Sequence, residues 1–273
     1  MTTQTSTPIA LTIAGSDSGG GAGIQADLKT FSALGVFGTS VIAALTAQNT
    51  REVRAIHDVP ADFIADQLNT VLDDIRIDAI KIGMLSRPET ITTIASILRE
   101  RELGNIVLDP VMVAKSGDKL LADESVDALR RELLPLATLI TPNLPEAAVL
   151  LDSDEATDAE QMRVQAQQLL DLGPKAVLVK GGHLAESSSA ESADLLFSAE
   201  KAQWLPAKRI ATANTHGTGC TLSSAIAAGL ARGLNVTDAV TEAKAYITAA
   251  IEAADRLQVG SGHGPTHHFH AWW

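Results

Sequence analysis

Cysteine is almost missing: Cys220 is the single one in 273 residues, so no disulfide can form within the chain. Positive charge is also scarce, with 21 Lys and Arg against 33 Asp and Glu and a formal net charge of -12. Nucleic acids and membrane surfaces are themselves anionic and would repel such a chain, which leaves a small molecule as the expected partner. No apolar run approaches the roughly 20 residues of a membrane span, and Met1–Pro8 lacks the basic-then-apolar order of a secretory leader. A soluble, cytoplasmic protein is the expectation. No G-x-x-x-x-G-K-[ST] string occurs, which excludes a Walker-type phosphate loop. There is no internal repeat and no dividing linker, so residues 1–273 read as one globular domain, a size that a single α/β unit reaches.

What the chain does contain is a regular alternation. Short apolar runs rich in β-branched residues are followed by longer amphipathic segments, as expected of βα units around a mostly parallel sheet. The expected strands are Ile9–Ala14, Ser40–Thr46, Ala79–Ile82, Ile106–Leu108, Thr138–Ile140 and Ala176–Val179, with a hairpin over Leu195–Phe197 and Ala202–Leu205. Expected helices are Ile24–Leu34, Ala61–Leu72, Pro88–Arg101, Ser125–Leu134, Pro145–Leu151, Ala159–Leu172, Cys220–Ala231 and Val236–Arg256. Asp158 suits an N-cap and Pro145 a first helical turn. The polar segment Glu186–Ser192 reads as an exposed loop.

Three motifs carry chemistry. The run from Gly15 to Gly23, between the first strand and first helix, lets the backbone approach a ligand at a helix N-terminus. Gly21, Gly23 and Ala26 match a loose dinucleotide fingerprint, but Gln48-Asn49-Thr50 stands where that fold needs a ribose-binding carboxylate. A tight turn without a ligand explains this motif equally well. In Asn214-Thr215-His216-Gly217-Thr218-Gly219-Cys220, glycines at a helix start aim backbone N–H groups at one point, as stabilisation of a transferring phosphoryl group requires; the alternative is a glycine turn capping a core helix. Asp109, Asn143-x-x-Glu146 and Lys180 each follow a strand, where ligand sites of open parallel sheets lie. A carboxylate and an amide suit hydrated Mg²⁺ on ATP phosphates, and a lysine neutralises phosphate charge. Singly these residues read as caps or surface charges; together they favour a nucleotide site. The tail histidines His267, His268 and His270 lack a neighbouring carboxylate or cysteine and read as residues that pack or face solvent, and Met84 as a filler of an apolar gap.

These residues resemble the hydroxymethylpyrimidine/phosphomethylpyrimidine kinases of the ribokinase-like superfamily. The likeness runs from Ala10–Gly15 and Gly23–Thr30 through Thr46–Thr50, Lys81–Leu85, Ala114–Asp118, Thr141–Glu146, Lys180–His183 and Gly217–Cys220 to the aromatic tail. It implies a three-layer α/β/α sandwich with a mostly parallel central sheet, a homodimer, and transfer of the ATP γ-phosphoryl group to the hydroxymethylpyrimidine and then to its monophosphate. Carried over, Gln48 is similar to the residue that recognises the aminopyrimidine, with Gly15, Asp27 and Met84 in the same pocket. Asn143, Glu146 and Lys180 resemble the nucleotide and magnesium side, and Gly217, Thr218 and Gly219 the anion hole; Asp109 is added as a magnesium ligand from its place after a strand. Lys115–Asp118 resembles a mobile cover, and Gly19 stands where a serine is common. Cys220 occupies the position of the aspartate base of sugar kinases, and a helix N-terminus is expected to move its thiol toward the working pH. That cysteine is shared with pyridoxal kinases, which makes a pyridoxal or pyridoxine kinase the rival of the same class. A nicotinamide-dependent oxidoreductase and a non-catalytic vitamin sensor are the rivals from other classes; the missing ribose carboxylate counts against one and the anion-hole segment against the other.

Overall fold

The computed structural model describes residues 6–112, 123–182 and 191–273. The first half comprises β1 (Ile9–Asp17), α1 (Gly23–Ala33), β2 (Phe37–Gln48), β3 (Val53–Asp58), α2 (Ala61–Asp74), β4 (Ala79–Ile82), α3 (Pro88–Glu100) and β5 (Ile106–Leu108). The second comprises α4 (Asp123–Ala128), β6 (Leu139–Ile140), α5 (Leu144–Leu151), α6 (Ala159–Asp171), β7 (Ala176–Val179), β8 (Glu191–Ser198), β9 (Ala202–Lys208), α7 (Thr218–Ala231) and α8 (Val236–Glu252).

Successive side chains of a strand point to opposite faces, and here each face is apolar because each is covered by helices. Leu11, Ile13, Ile80, Ile82, Ile106, Leu108, Val177 and Val179 pack on one side with α2, α3, α5 and α6. The alternate residues Ala10, Ala79, Val107, Leu139, Ala176 and Leu178 pack on the other with α1, α7 and α8. The result is the expected three-layer sandwich. Its single nine-stranded sheet runs β3-β2-β1-β4-β5-β6-β7-β8-β9. The strands from β2 to β7 pair in parallel, while β3 and the β8–β9 hairpin are added antiparallel at the edges.

The structure departs from expectation at five places. β1 does not stop at Ala14: a bulge there lets Gly15, Ser16 and Asp17 pair with Ala44, Leu45 and Thr46. β3 had no signal in the sequence, because an edge strand with mostly exposed side chains shows no alternation. The helix expected over Ser125–Leu134 becomes α4, a π-helical turn over Leu129–Leu133 and a 3₁₀ turn over Leu134–Leu136; Pro135 cannot donate the next helical hydrogen bond. α7 begins at Thr218, which places Cys220 inside its first turn. Glu191 and Ser192, expected in a loop, open β8. The suggested cover Lys115–Asp118, together with His183 and residues 186–190, lies outside the described residues.

Of the two readings of the tail histidines, the structure takes packing for His267 and His268. His267 and His268 are buried, and His268 Nε2 sits 3.1 Å from Thr221 Oγ1. Burial pushes the His268 imidazole down to about 3, with Lys29 and His267 adding to the effect. Among the described residues no helix is long and apolar enough to cross a membrane.

Candidate active site

Parallel strands all end on one side of the sheet, so whatever follows each strand converges there. β1 runs into the glycine loop, β4 into Gly83 and Met84, β5 into Asp109, β6 into Thr141 and Asn143, and β7 into Lys180. With the N-terminus of α7 they enclose a cleft of about 820 Å³. Gly15, Gln48, Met84, Asp109, Asn143, Glu146, Lys180 and Gly217–Cys220 all line it. Asp27 does not.

One end of the cleft is organised by Asp17. Its carboxylate accepts the N–H groups of Gly19 at 2.7 Å, Gly21 at 3.1 Å and Ala22 at 2.9 Å, and lies 2.8 Å from His216 Nε2. Burial acts to raise this carboxyl, but the His216 contact and the loop N–H groups outweigh it and hold it below its ordinary range. The loop is thereby tied to the segment before α7. Gly217, at φ 78°, is the N-cap of α7, and any Cβ there would collide with the carbonyl oxygen of Gly21. Gln48 stands beside this junction. Its backbone is clamped by Ser18, whose Oγ donates to the Gln48 carbonyl at 2.9 Å and accepts its N–H at 2.8 Å.

Asp27 lies beneath the cleft rather than in it. The register pairs Thr12 of β1 with Lys81 of β4, on the face that α1 and α7 cover. Both Asp27 oxygens are 2.9 Å from Lys81 Nζ; Ser224 donates to one at 2.6 Å and Thr12 to the other at 2.6 Å. Asp27 and Lys81 are both 0% exposed. Burial alone would favour neutral Lys81, but the Asp27 carboxylate overrides it and raises the ammonium. The resemblance placed Asp27 in the acceptor pocket; the structure makes it the anchor of a buried ion pair.

The other end of the cleft is built on Lys180. Its Nζ lies 3.1 Å from Asp109 Oδ1 and 3.7 Å from Glu146 Oε2, and Thr141 donates to Asp109 at 2.9 Å. Asn143 and Glu146 form a reciprocal capping box on α5: Glu146 N–H donates to Asn143 Oδ1 at 2.8 Å, and Asn143 N–H to Glu146 Oε2 at 2.7 Å. The bland and functional readings of this pair therefore coexist, since the cap also aims Glu146 at Lys180. Burial pushes the Glu146 carboxyl up to about 7; the Lys180 charge opposes this and the Asp109 charge adds to it. Asp109, although buried, is held low by Lys180 and Lys81.

Cys220 faces the cleft between the two ends. Burial pushes its thiol up to about 11, with Lys81 opposing and Asp27 and Asp109 adding. The expectation that a helix N-terminus would bring this thiol toward neutrality is reversed, because desolvation outweighs the Lys81 charge and the Gly23 N–H that favour the thiolate.

Sequence reasoning missed Asp17, His216 and Lys81 as site-forming residues. Asp17 had a signal: a carboxylate inside a glycine loop is the natural acceptor for that loop's N–H groups. His216 lay in the second motif, but nothing local signalled its contact with Asp17, 199 residues away.

The family model described as phosphomethylpyrimidine kinase matches residues 17–267. The hydroxymethylpyrimidine/phosphomethylpyrimidine kinase of Rhizobium meliloti is 58% identical over 267 residues, covering 98% of this chain and 99% of the relative. Among solved structures, phosphomethylpyrimidine kinase from Clostridium difficile aligns with a TM-score of 0.79 at 46% identity, over 89% of this chain and 99% of its own. An ADP complex of Bacillus subtilis pyridoxal kinase aligns with a TM-score of 0.88 at 41% identity, over 96% and 98%.

Proposed function

Because the chain belongs to the phosphomethylpyrimidine kinase family, we propose that it transfers the γ-phosphoryl group of ATP to 4-amino-5-hydroxymethyl-2-methylpyrimidine and then to the resulting monophosphate, in thiamine biosynthesis. The observation that carries this reading is the facing of Gln48 and the Asp109–Lys180–Glu146 cluster across one cleft, with the Gly217–Cys220 turn between them. Gln48, Gly15 and Met84 hold the acceptor ring at the glycine-loop end. Lys180 and Asn143 serve the nucleotide phosphates at the other. The acceptor oxygen forms a bond to the γ-phosphorus as the bond to the β–γ bridging oxygen breaks, ADP leaves, and the hydroxyl proton passes to the thiolate of Cys220, the minor form of that side chain near neutrality. First-turn N–H groups of α7 receive the charge developing on the transferred group.

Magnesium fits this donor set. Among the described residues no group of three or more His, Cys, Asp or Glu could hold a metal alone, but hydrated Mg²⁺ needs only one or two carboxylates when phosphates complete its shell. Asp109 and Glu146 would hold it, two carboxylates that share the single Lys180 ammonium. Bound there, the ion supplies charge neutralisation for the phosphates. The kinase is further proposed to act as one domain over residues 1–273, as a cytoplasmic homodimer. The test is magnesium-dependent ADP release with hydroxymethylpyrimidine, its monophosphate, pyridoxine and pyridoxal as acceptors; a much higher kcat/KM for pyridoxine would replace this reading by that of a pyridoxine kinase.

A further inference from the structure

The side-chain amide of Gln48 makes two contacts whose hydrogen-bond roles conflict. Its Nε2 lies 3.4 Å from His216 Nε2, which is itself 2.8 Å from Asp17 Oδ2. An ionised carboxylate only accepts, so His216 Nε2 carries a proton directed at Asp17 and cannot accept one from Gln48. At the other end of the amide, Gln48 Oε1 lies 3.1 Å from Thr46 Oγ1. The Thr46 hydroxyl has one proton, and the Ser16 carbonyl oxygen at 2.9 Å, which can only accept, takes it. Thr46 Oγ1 therefore meets Gln48 as an acceptor. Two donors face each other at one end of the amide and two acceptors at the other. A half-turn of the amide exchanges groups of nearly equal size and resolves both conflicts at once.

We propose that Gln48 reads the acceptor ring with its carbonyl oxygen on the His216 side and its amine on the Thr46 side, which makes Thr46 and His216 specificity-determining residues. The chain of roles is then complete: Thr46 O–H to the Ser16 carbonyl, Gln48 N–H to Thr46 Oγ1, and His216 N–H shared between Asp17 and Gln48 Oε1. Each end of the amide keeps spare capacity toward the cleft, a lone pair on the oxygen and a second proton on the nitrogen. A ring that places an exocyclic amine toward His216 and an adjacent ring nitrogen toward Thr46 satisfies both. A ring with that order reversed, or with one partner missing, leaves a polar group unpaired. The inference rests on the cleft's being an aminopyrimidine site, but its first test does not.

That test is a nuclear Overhauser measurement on the uniformly labelled wild-type protein: the Gln48 side-chain N–H protons are expected nearer Thr46 than the His216 ring, and the opposite pattern overturns the proposal. The second test is kinetic. Thr46→Val should lower the ratio of kcat/KM for hydroxymethylpyrimidine over pyridoxine roughly tenfold, while Thr46→Ser, which keeps the hydroxyl, should hold it within about twofold. An unchanged ratio in Thr46→Val, including one in which both acceptors fall in proportion, overturns the role of Thr46. Failure of the wild type to phosphorylate hydroxymethylpyrimidine would instead remove the proposed function and leave the amide orientation to the first test.

Discussion

The thiol of Cys220 sits in the first turn of α7, where helix N–H groups favour a thiolate, yet burial pushes it up to about 11. A base with that value is almost wholly protonated near neutrality. If the thiolate accepts the hydroxyl proton, turnover should rise about tenfold per pH unit above neutrality until another group intervenes. Cys220→Ala should then lose about 10²-fold in kcat and flatten that profile while ATP binding persists. A variant with wild-type kcat and profile would move the proton transfer away from the thiol. Gln48 was legible in the sequence only through its place in Thr46–Thr50. Its neighbours explain its use: with its backbone clamped by Ser18 and its amide beside Thr46 and His216, it is ordered before any ring arrives. Gln48→Ala should reduce kcat/KM for the pyrimidine by roughly one to two orders of magnitude, because the ring's polar edge is left unpaired. Equal kinetics for the two proteins would sink that assignment.

Between elements, the Asp27–Lys81 pair braces four of them at once: α1 supplies Asp27, β4 Lys81, β1 Thr12 and α7 Ser224. Periodicity showed Lys81 only as one residue of a buried strand, and Asp27 as one residue of a helix. Neither pattern says that two charges meet where sheet and helices pack. Removing one partner strands the other in the core, so Lys81→Met should destabilise by about 3–5 kcal/mol in urea unfolding. Lys81→Met with Asp27→Leu should recover most of that loss. A single variant as stable as wild type would show that water reaches the pair. Cross-element contacts also explain the glycine loop. Gly217 closes onto Gly21, and Asp17 ties the loop to His216, so the acceptor end and the anion turn form one unit although they belong to opposite ends of the chain.

For the whole molecule, Glu146 links stability to pH. Its carboxyl lies at about 7 in the fold against 4.5 for an ordinary glutamate, so between those values the folded state keeps a proton that the unfolded chain has released. Its own contribution to stability should therefore fall as pH rises from about 4.5 to 7, while His268, held down to about 3 in the fold, contributes a rise up to its ordinary 6.5. Glu146→Gln should remove the Glu146 contribution, so that its stability rises relative to wild type between about pH 4.5 and 7, and, above pH 7 without magnesium, it should unfold at higher urea, by up to about 3 kcal/mol. It should also lower turnover and raise the magnesium requirement more than it weakens pyrimidine binding. Equal slopes for the two proteins, or wild-type turnover at every point of a magnesium titration, would take Glu146 out of the site. The sequence alone determined the layers and the side of the sheet on which chemistry gathers, because strand alternation and parallel βα order are local properties that repeat along the chain. It also put Asp109, Asn143, Glu146 and Lys180 on one edge, since residues after parallel strands must share it. Only the tertiary structure decided that Asp27 is a core anchor, that Asp17 meets His216, and that the Cys220 thiol is raised rather than lowered. Those outcomes depend on desolvation and on contacts made by residues far apart in the chain, and no local pattern encodes either.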